Sequence, residues 1–441
     1  MSARYWSFLL SWSRVGINAA LFLAATRVMT LSEIGLFATA FAPIRLTQSL
    51  HKAGISDAVI VLRKARRRDA LFALSLGSGG LITALLAALG ALFSPLLLAL
   101  SIIPTFNGLG AVSEGILRKR LALRALALRT LAIQSFAAAT AMWMFSTGWG
   151  VWALVAFALL NAGLTCALSL ALARWRPMGV PKWRYVSLIW PKTAEIAGRA
   201  LLTTSQLPLA QLAVGLALGP VAAGAFQIAT RMLELIEALT LSPLRYIALP
   251  QLRSSNDLRG SLHTHIRRCA TLSVWVWGGT LVAAPDILTL AVGASHAPAA
   301  VPVLRALAAL GLLSALLMPL TQALMARGYT TLVLQRAAVS LALSAALIAP
   351  ALALSVTAAA LALSLAALVT GLWFTARALE TLPPITASDL SPALAPLLAG
   401  ISMCTALVLC PPLPLLSQGA LGTAIYLTLL SFSRKPQRHP A

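Results

Sequence analysis

Apolar runs of about 20 residues recur some fourteen times along this 441-residue chain, separated by loops that are alternately strongly basic and nearly uncharged. A run of that length crosses a bilayer as one α-helix. The bilayer core offers backbone groups no water, so only helices and closed barrels can span it. A barrel would show short alternating segments instead. The predicted fold is therefore an all-α integral membrane protein with about 14 transmembrane helices. The spans fall near 6–28, 33–51, 70–93, 95–117, 130–147, 149–173, 189–216, 221–245, 270–291, 300–325, 329–350, 355–376, 392–410 and 416–432. Charged residues make up 10% of the chain, against about 25% in soluble domains.

The basic loops set the expected orientation. Of 34 Lys and Arg residues, 28 lie in loops on one side of the predicted helices. These include Arg63 to Arg68, Arg118 to Arg129, Arg174 to Lys192, Arg245 to Arg268, Arg327 with Arg336, and Arg434 to Arg438. The positive-inside rule then makes both termini cytoplasmic. The net charge of +23 is read as a topology signal that favours anionic lipid headgroups, with no nucleic acid as partner. Outer loops are very short, and only 286–301 exceeds a tight turn, so no extracytoplasmic catalytic domain is expected. No Walker-type phosphate loop occurs. Cys166, Cys269, Cys404 and Cys410 lie in or beside apolar runs without metal-ligand spacing. No catalytic residue, cofactor or metal site is expected.

Four spans carry polar stripes at helical spacing. The first has Ser7, Ser11, Arg14 and Asn18, and the second Phe41, Arg45 and Gln48. The seventh has Lys192, Glu195, Arg199, Thr203 and Gln206, followed by Pro208, where a kink is expected. The eighth has Gln227, Arg231 and Glu234, with Glu237 close to that face. A lone arginine in a membrane helix costs a few kcal/mol, so it faces protein, water or ligand unless it snorkels to a headgroup. Arg14, Asn18, Arg45, Gln48, Arg199, Gln206, Gln227 and Arg231 are the candidate substrate-binding set. Glu195, Glu234 and Glu237 are candidates for ion coupling. The alternative is mutual neutralisation, Glu195 with Arg199 and Arg231 with Glu234. Arg14 and Arg45 have no acid at helical spacing. An arginine fork suits phosphate. Glu114 and Arg118 are expected to pair at the inner face, and Arg305 to reach the outer headgroups.

A weak internal repeat aligns residues 33–40 with 222–229, an offset of 189. An even six-helix period makes the halves parallel. The expected organisation is two parallel six-helix lobes, 1–188 and 189–377, around a central cavity, with residues 378–441 adding two helices and a basic tail.

Three stretches carry a family resemblance. Residues 27–37, Arg-Val-Met-Thr-Leu-Ser-Glu-Ile-Gly-Leu-Phe, form the first hairpin. Residues 148–155, Gly-Trp-Gly-Val-Trp-Ala-Leu-Val, precede the sixth span. Residues 218–226, Leu-Gly-Pro-Val-Ala-Ala-Gly-Ala-Phe, open the second half, with Phe226 where tyrosine is usual and Pro220 unusual. The chain resembles polysaccharide-type lipid flippases of the multidrug/oligosaccharidyl-lipid/polysaccharide exporter superfamily. The resemblance implies a V-shaped transporter working by alternating access in a bacterial inner membrane. Its substrate would be a polyprenyl-diphosphate-linked oligosaccharide for cell-surface polysaccharide such as O-antigen or exopolysaccharide. Partners would be that lipid-linked substrate, membrane lipids, a polysaccharide polymerase and glycosyltransferases. Rival classes are a multidrug/cation antiporter, which calls for an acidic cavity, and a membrane polymerase or ligase, which calls for a large outer loop. A non-catalytic scaffold would need no buried charges on four helices.

The orientation is directly testable. A reporter active only in the periplasm, fused after Ala441, is expected to give no signal; a strong one would require an odd number of spans.

Overall fold

The computed structural model describes residues 3–61, 66–177, 179, 183–254, 257–382, 386–410 and 414–433. Arg63, Lys64, Lys182, Arg434, Lys435 and Arg438 lie outside the described residues, as do the side chains of Ser7 and Ser11. Among the described residues every regular element is helical. Ten helices among the described residues are long and apolar enough to cross a membrane. The expected first, second, seventh and fourteenth spans are helical as well, and the second and seventh are less apolar because they carry charged stripes.

The chain divides into two units, 1–227 and 228–441. The first holds α1 (Ala3–Val28), α2 (Leu31–Ser49), a π-helical turn (Leu50–Ile55), α3 (Ser56–Val61) and α4 (Arg66–Phe93). It continues with α5 (Pro95–Leu100), α6 (Ile103–Lys119), α7 (Leu123–Ser146), α8 (Val151–Ala173), α9 (Trp183–Thr204) and the start of α10 (Gln206–Ser254). The second holds the rest of α10, α11 (Leu258–Val292), α12 (Ala297–Ala326), α13 (Thr330–Ala351) and α14 (Val356–Thr381). A 3-10 turn (Ala387–Ala393), α15 (Leu394–Leu409) and α16 (Leu415–Ser433) follow. The outer loop expected at 286–301 shrinks to 293–296, because α11 and α12 extend into it.

Local chemistry sets the breaks. Thr30 and Glu33 form a capping box that starts α2, with Glu33 Oε2 accepting from the Thr30 amide at 2.8 Å. The expected seventh span breaks at Ser205. Pro208 sits one turn beyond, and its ring cannot continue the hydrogen-bond ladder. α10 turns at Gly219, whose φ of 84° suits a residue without a side chain. Gln211 on one side of that turn donates to the Ala223 carbonyl on the other, at 3.1 Å.

The two units repeat one packing scheme. In the first, α4 packs on α6, and α6 and α7 on α8; in the second, α11 packs on α12, and α12 and α13 on α14. Matching positions recur inside that scheme. Leu121 (φ 53°) and Gly328 (φ 88°) turn the corresponding hairpins. Arg129 and Arg336 are the seventh residues of α7 and α13. Arg129 contacts Ser169 and Arg336 contacts Phe374, the nineteenth residues of α8 and α14.

The tightest packing in the first unit is at the start of α2. A Cβ on Gly35 would lie 1.7 Å from the Pro220 carbonyl oxygen and 2.7 Å from the Gly224 amide. One on Gly224 would lie 2.1 Å from the Leu31 carbonyl oxygen. Helices in lipid associate through such small residues. Gly35→Ala is therefore expected to cost about 1–3 kcal/mol, read as a lower melting temperature in detergent. Gly198→Ala, whose Cβ meets nothing within 4 Å, is expected to leave stability unchanged or raise it.

Candidate functional site

In the first unit the candidate residues reach their places by different neighbours. α1 packs mainly on α7, while α2 and the π turn pack on α9. Arg14 is exposed, and Asn18 is half-buried with its amide donating back to the Arg14 carbonyl at 2.7 Å. Arg45 and Gln48 are half-buried on the last turns of α2. The π turn follows at once, widening the helix beside them; π turns of this kind recur at functional sites. Gly54 within it lets the backbone close on Ala197 of α9, where a Cβ would lie 2.7 Å from the Ala197 Cβ. Phe41 stacks on Phe37, ring centroids 5.3 Å apart.

The α9 stripe is a charge ladder on an open face. Glu195 is held by Lys192 at 2.9 Å and by Arg199 at 2.8 Å. Gln206 is half-buried at the start of α10, and Gln227 is buried. In the second unit Arg231 pairs with Glu234 at 2.9 Å, both half-buried, and Glu237 lies half-buried one turn on. Mutual neutralisation thus occurs in both pairs. Arg199 and Arg231 share their charge with carboxylates. α1 carries no acid, and the single acid of α2, Glu33, is used in its capping box. Of the stripe-bearing helices, these two are the ones whose stripes hold no carboxylate.

Two arginines that hydropathy places among loop cations are inside the helices. Arg129 is buried, donating to Ser169 Oγ at 2.6 Å with Glu114 Oε2 3.9 Å away. Glu114 pairs as expected with Arg118, at 2.6 Å, and Arg118 extends to Asp57 at 3.4 Å. Burial raises the Asp57 carboxyl above its ordinary range, and Arg118 opposes the shift. α1 packs against α7, the helix that carries Arg129. Arg336 in the second unit donates to Thr321 Oγ1 at 2.9 Å and lies 4.9 Å over the Phe374 ring. The signal that finds both is the apolar sequence on either side of each arginine, repeated at an offset of 207. Arg305 donates to the Leu281 carbonyl at 3.0 Å, fastening α12 to α11. Among the described residues no cluster of His, Cys, Asp and Glu could hold a metal ion.

A family model described as polysaccharide biosynthesis protein matches residues 24–301. No curated protein matches the chain. Among solved structures, the chain is similar to the lipid II flippase MurJ in an inward closed conformation. The TM-score is 0.72 and the identity 14%, over 97% of this chain and 98% of that one. It is also similar to an inward-facing multidrug resistance MATE family transporter of the MOP superfamily, with TM-score 0.64 and 18% identity over 82% and 94%. A MOP superfamily transporter from Pyrococcus furiosus, described as having a binding pocket of reverse polarity, matches with TM-score 0.57 and 18% identity over 86% and 96%. These likenesses show the fold.

The network around Arg129 is expected to hold the first unit together. Arg129→Ala removes the donor to Ser169 Oγ and leaves a void where a long buried side chain stood, while Glu114 keeps Arg118; it is expected to cost about 3 kcal/mol, read as a lower melting temperature of the purified protein. Arg118→Ala, at a side chain 36% exposed, is expected to cost less than half of that. Equal losses would mean that Arg129 has no special place in the network.

Proposed function

The chain belongs to the polysaccharide biosynthesis protein family, and on that premise we propose that it is a flippase moving a polyprenyl-diphosphate-linked oligosaccharide from the inner to the outer leaflet. It works by alternating access in a bacterial inner membrane, with both termini cytoplasmic, and supplies cell-surface polysaccharide synthesis. The observation that carries this reading is the basic character of α1 and α2. Their spanning faces present Arg14, Asn18, Arg45 and Gln48, and their one carboxylate is spent on a helix cap. An anionic head group is matched by such a surface, and a cationic drug is repelled by it.

Arg14 and Arg45 hold the diphosphate, because a guanidinium donates two parallel hydrogen bonds to phosphate oxygens. Asn18, Gln48, Gln206 and Gln227 serve the sugar hydroxyls. Arg199 and Arg231, each paired with a glutamate, add weaker attraction, and Glu195, Glu234 and Glu237 are the groups available for ion coupling. Lobes 1–188 and 189–377 alternate, with residues 378–441 appended. A polymerase and glycosyltransferases act on the same lipid-linked chain. Multidrug export is the second reading, favoured by the likeness to a MATE transporter.

Charge-assisted bonds contribute about 1.5–3 kcal/mol each, so losing one weakens capture roughly ten- to a hundredfold. Arg14→Ala and Arg45→Ala are expected to abolish most glycan export in a flippase-null strain while protein stays at normal level in the membrane. Lysine at either position restores part of the activity. Full export by the double alanine variant, or drug resistance conferred without glycan export, would reject the flippase reading.

A further inference from the structure

The second unit carries a two-part groove that none of the candidate transport residues of α1, α2 or α9 enters. Its basic part, about 710 Å³, lies between the first turns of α11 and the middle of α16, among His263, Arg267, Arg268 and Tyr426. Its apolar part, about 380 Å³, continues along α11 beside α15 and α16, past Val276, Gly279, Ala283 and Leu407. Trp275 and Thr423 line both parts, and the Trp275 indole donates to Thr423 Oγ1 at 3.2 Å where they join. Each volume is within the range of small-molecule sites.

The groove is built rather than incidental. Tyr426 is buried beneath it, with its hydroxyl donating to the Thr271 carbonyl at 2.8 Å. Arg259 pairs with Asp389 at 2.6 Å and so fastens the start of α11 to the turn before α15. Arg267 and Arg268 are exposed, and among the described residues neither forms an ion pair. The apolar walls are open at their glycines: a Cβ on Gly279 or Gly419 would meet nothing within 4 Å.

We propose that this groove binds one anionic glycerophospholipid of the leaflet next to the basic loops, its phosphate among His263, Arg267 and Arg268 and one acyl chain along α11. The order of chemistry along the groove is that of a phospholipid: charge, then interfacial aromatic, then hydrocarbon. α11 has 35 residues, about 50 Å of helix against a hydrocarbon core of about 30 Å, so its first turns stand at headgroup depth. Trp275 and Tyr426 occupy the level where amphipathic rings collect. A free phosphate would use the basic part and leave the apolar part idle. The narrow apolar part, floored by Gly279 and Gly419, suits a straight acyl chain better than a methyl-branched polyprenyl chain.

The test uses the full chain purified in a neutral detergent and titrated with phosphatidylglycerol, phosphatidylcholine or a polyprenyl monophosphate, with bound lipid counted by native mass spectrometry. Wild-type protein is expected to bind phosphatidylglycerol ahead of the other two. Arg267→Gln with Arg268→Gln is expected to weaken phosphatidylglycerol about 25-fold, from roughly fivefold per basic residue, and to leave phosphatidylcholine unchanged. Gly419→Leu fills the chain channel with the charges intact and is expected to weaken both phospholipids. Unchanged phosphatidylglycerol binding in either variant overturns the proposal, as does displacement of phosphatidylglycerol by an equal amount of polyprenyl monophosphate. Should a variant fail to fold, phosphatidylglycerol brominated on its chains decides the matter. It is expected to quench wild-type tryptophan fluorescence, and to do so less in Trp275→Phe. Equal quenching in the two proteins overturns the proposal.

Discussion

Backbone meets backbone where α2 begins. Gly35 faces Pro220 and Gly224, and Gly224 faces the Leu31 carbonyl, at separations that leave no room for a methyl group. In lipid, apolar side chains gain little by leaving one hydrocarbon for another, so close fit and hydrogen bonds must hold helices together. This contact fixes where α2 starts and which way it runs. It thereby fixes where Arg45, Gln48 and the π turn come to stand. Glu33 completes the arrangement: it caps α2, and its Oε1 lies 3.0 Å from where a Gly150 side chain would begin. The three stretches that carry the family resemblance therefore meet at one place, each supplying a glycine or a cap. Their job is packing.

Charge is the second constraint, and the chain handles it in three ways. Arginines inside the helices are given oxygen or aromatic partners: buried Arg129 has Ser169 and Glu114, and half-buried Arg336 has Thr321 and the Phe374 face. An unsatisfied buried guanidinium would be strongly destabilising. Half-exposed arginines on α9 and α10 are balanced by glutamates one turn away. The arginines of α1 and α2 stand on helices without a spanning carboxylate.

The last two helices follow the same packing rule. α15 comes down on α11 at Gly278 and Gly400, where added Cβ atoms would meet Cys404 at 3.1 Å and Val274 at 2.0 Å. α16 is tied by Tyr426 and Thr423. Glycines at these contacts let the backbones close. Glycines at Gly279 and Gly419, which face no neighbour, leave the wall of the groove hollow.

Much of this was legible in one dimension. Span positions follow from composition, because hydrocarbon thickness and the demand for internal backbone hydrogen bonds act on about 20 neighbouring residues at a time. The kink expected at Pro208 and the pairs Glu195–Arg199 and Arg231–Glu234 were legible too, since each involves residues within one helical turn. Arg129 and Arg336 were not. Hydropathy charges an arginine against the membrane whatever it faces, and only the approach of α8 and α14 supplies their partners. The meeting of Gly35 with Gly224 joins positions 189 residues apart, and the groove exists only once α16 lies beside α11. Local composition determined which segments are helices and where charge is costly. The tertiary structure alone decided which helices touch, because close backbone approach and long-range charge pairing depend on neighbours that sequence distance does not reveal.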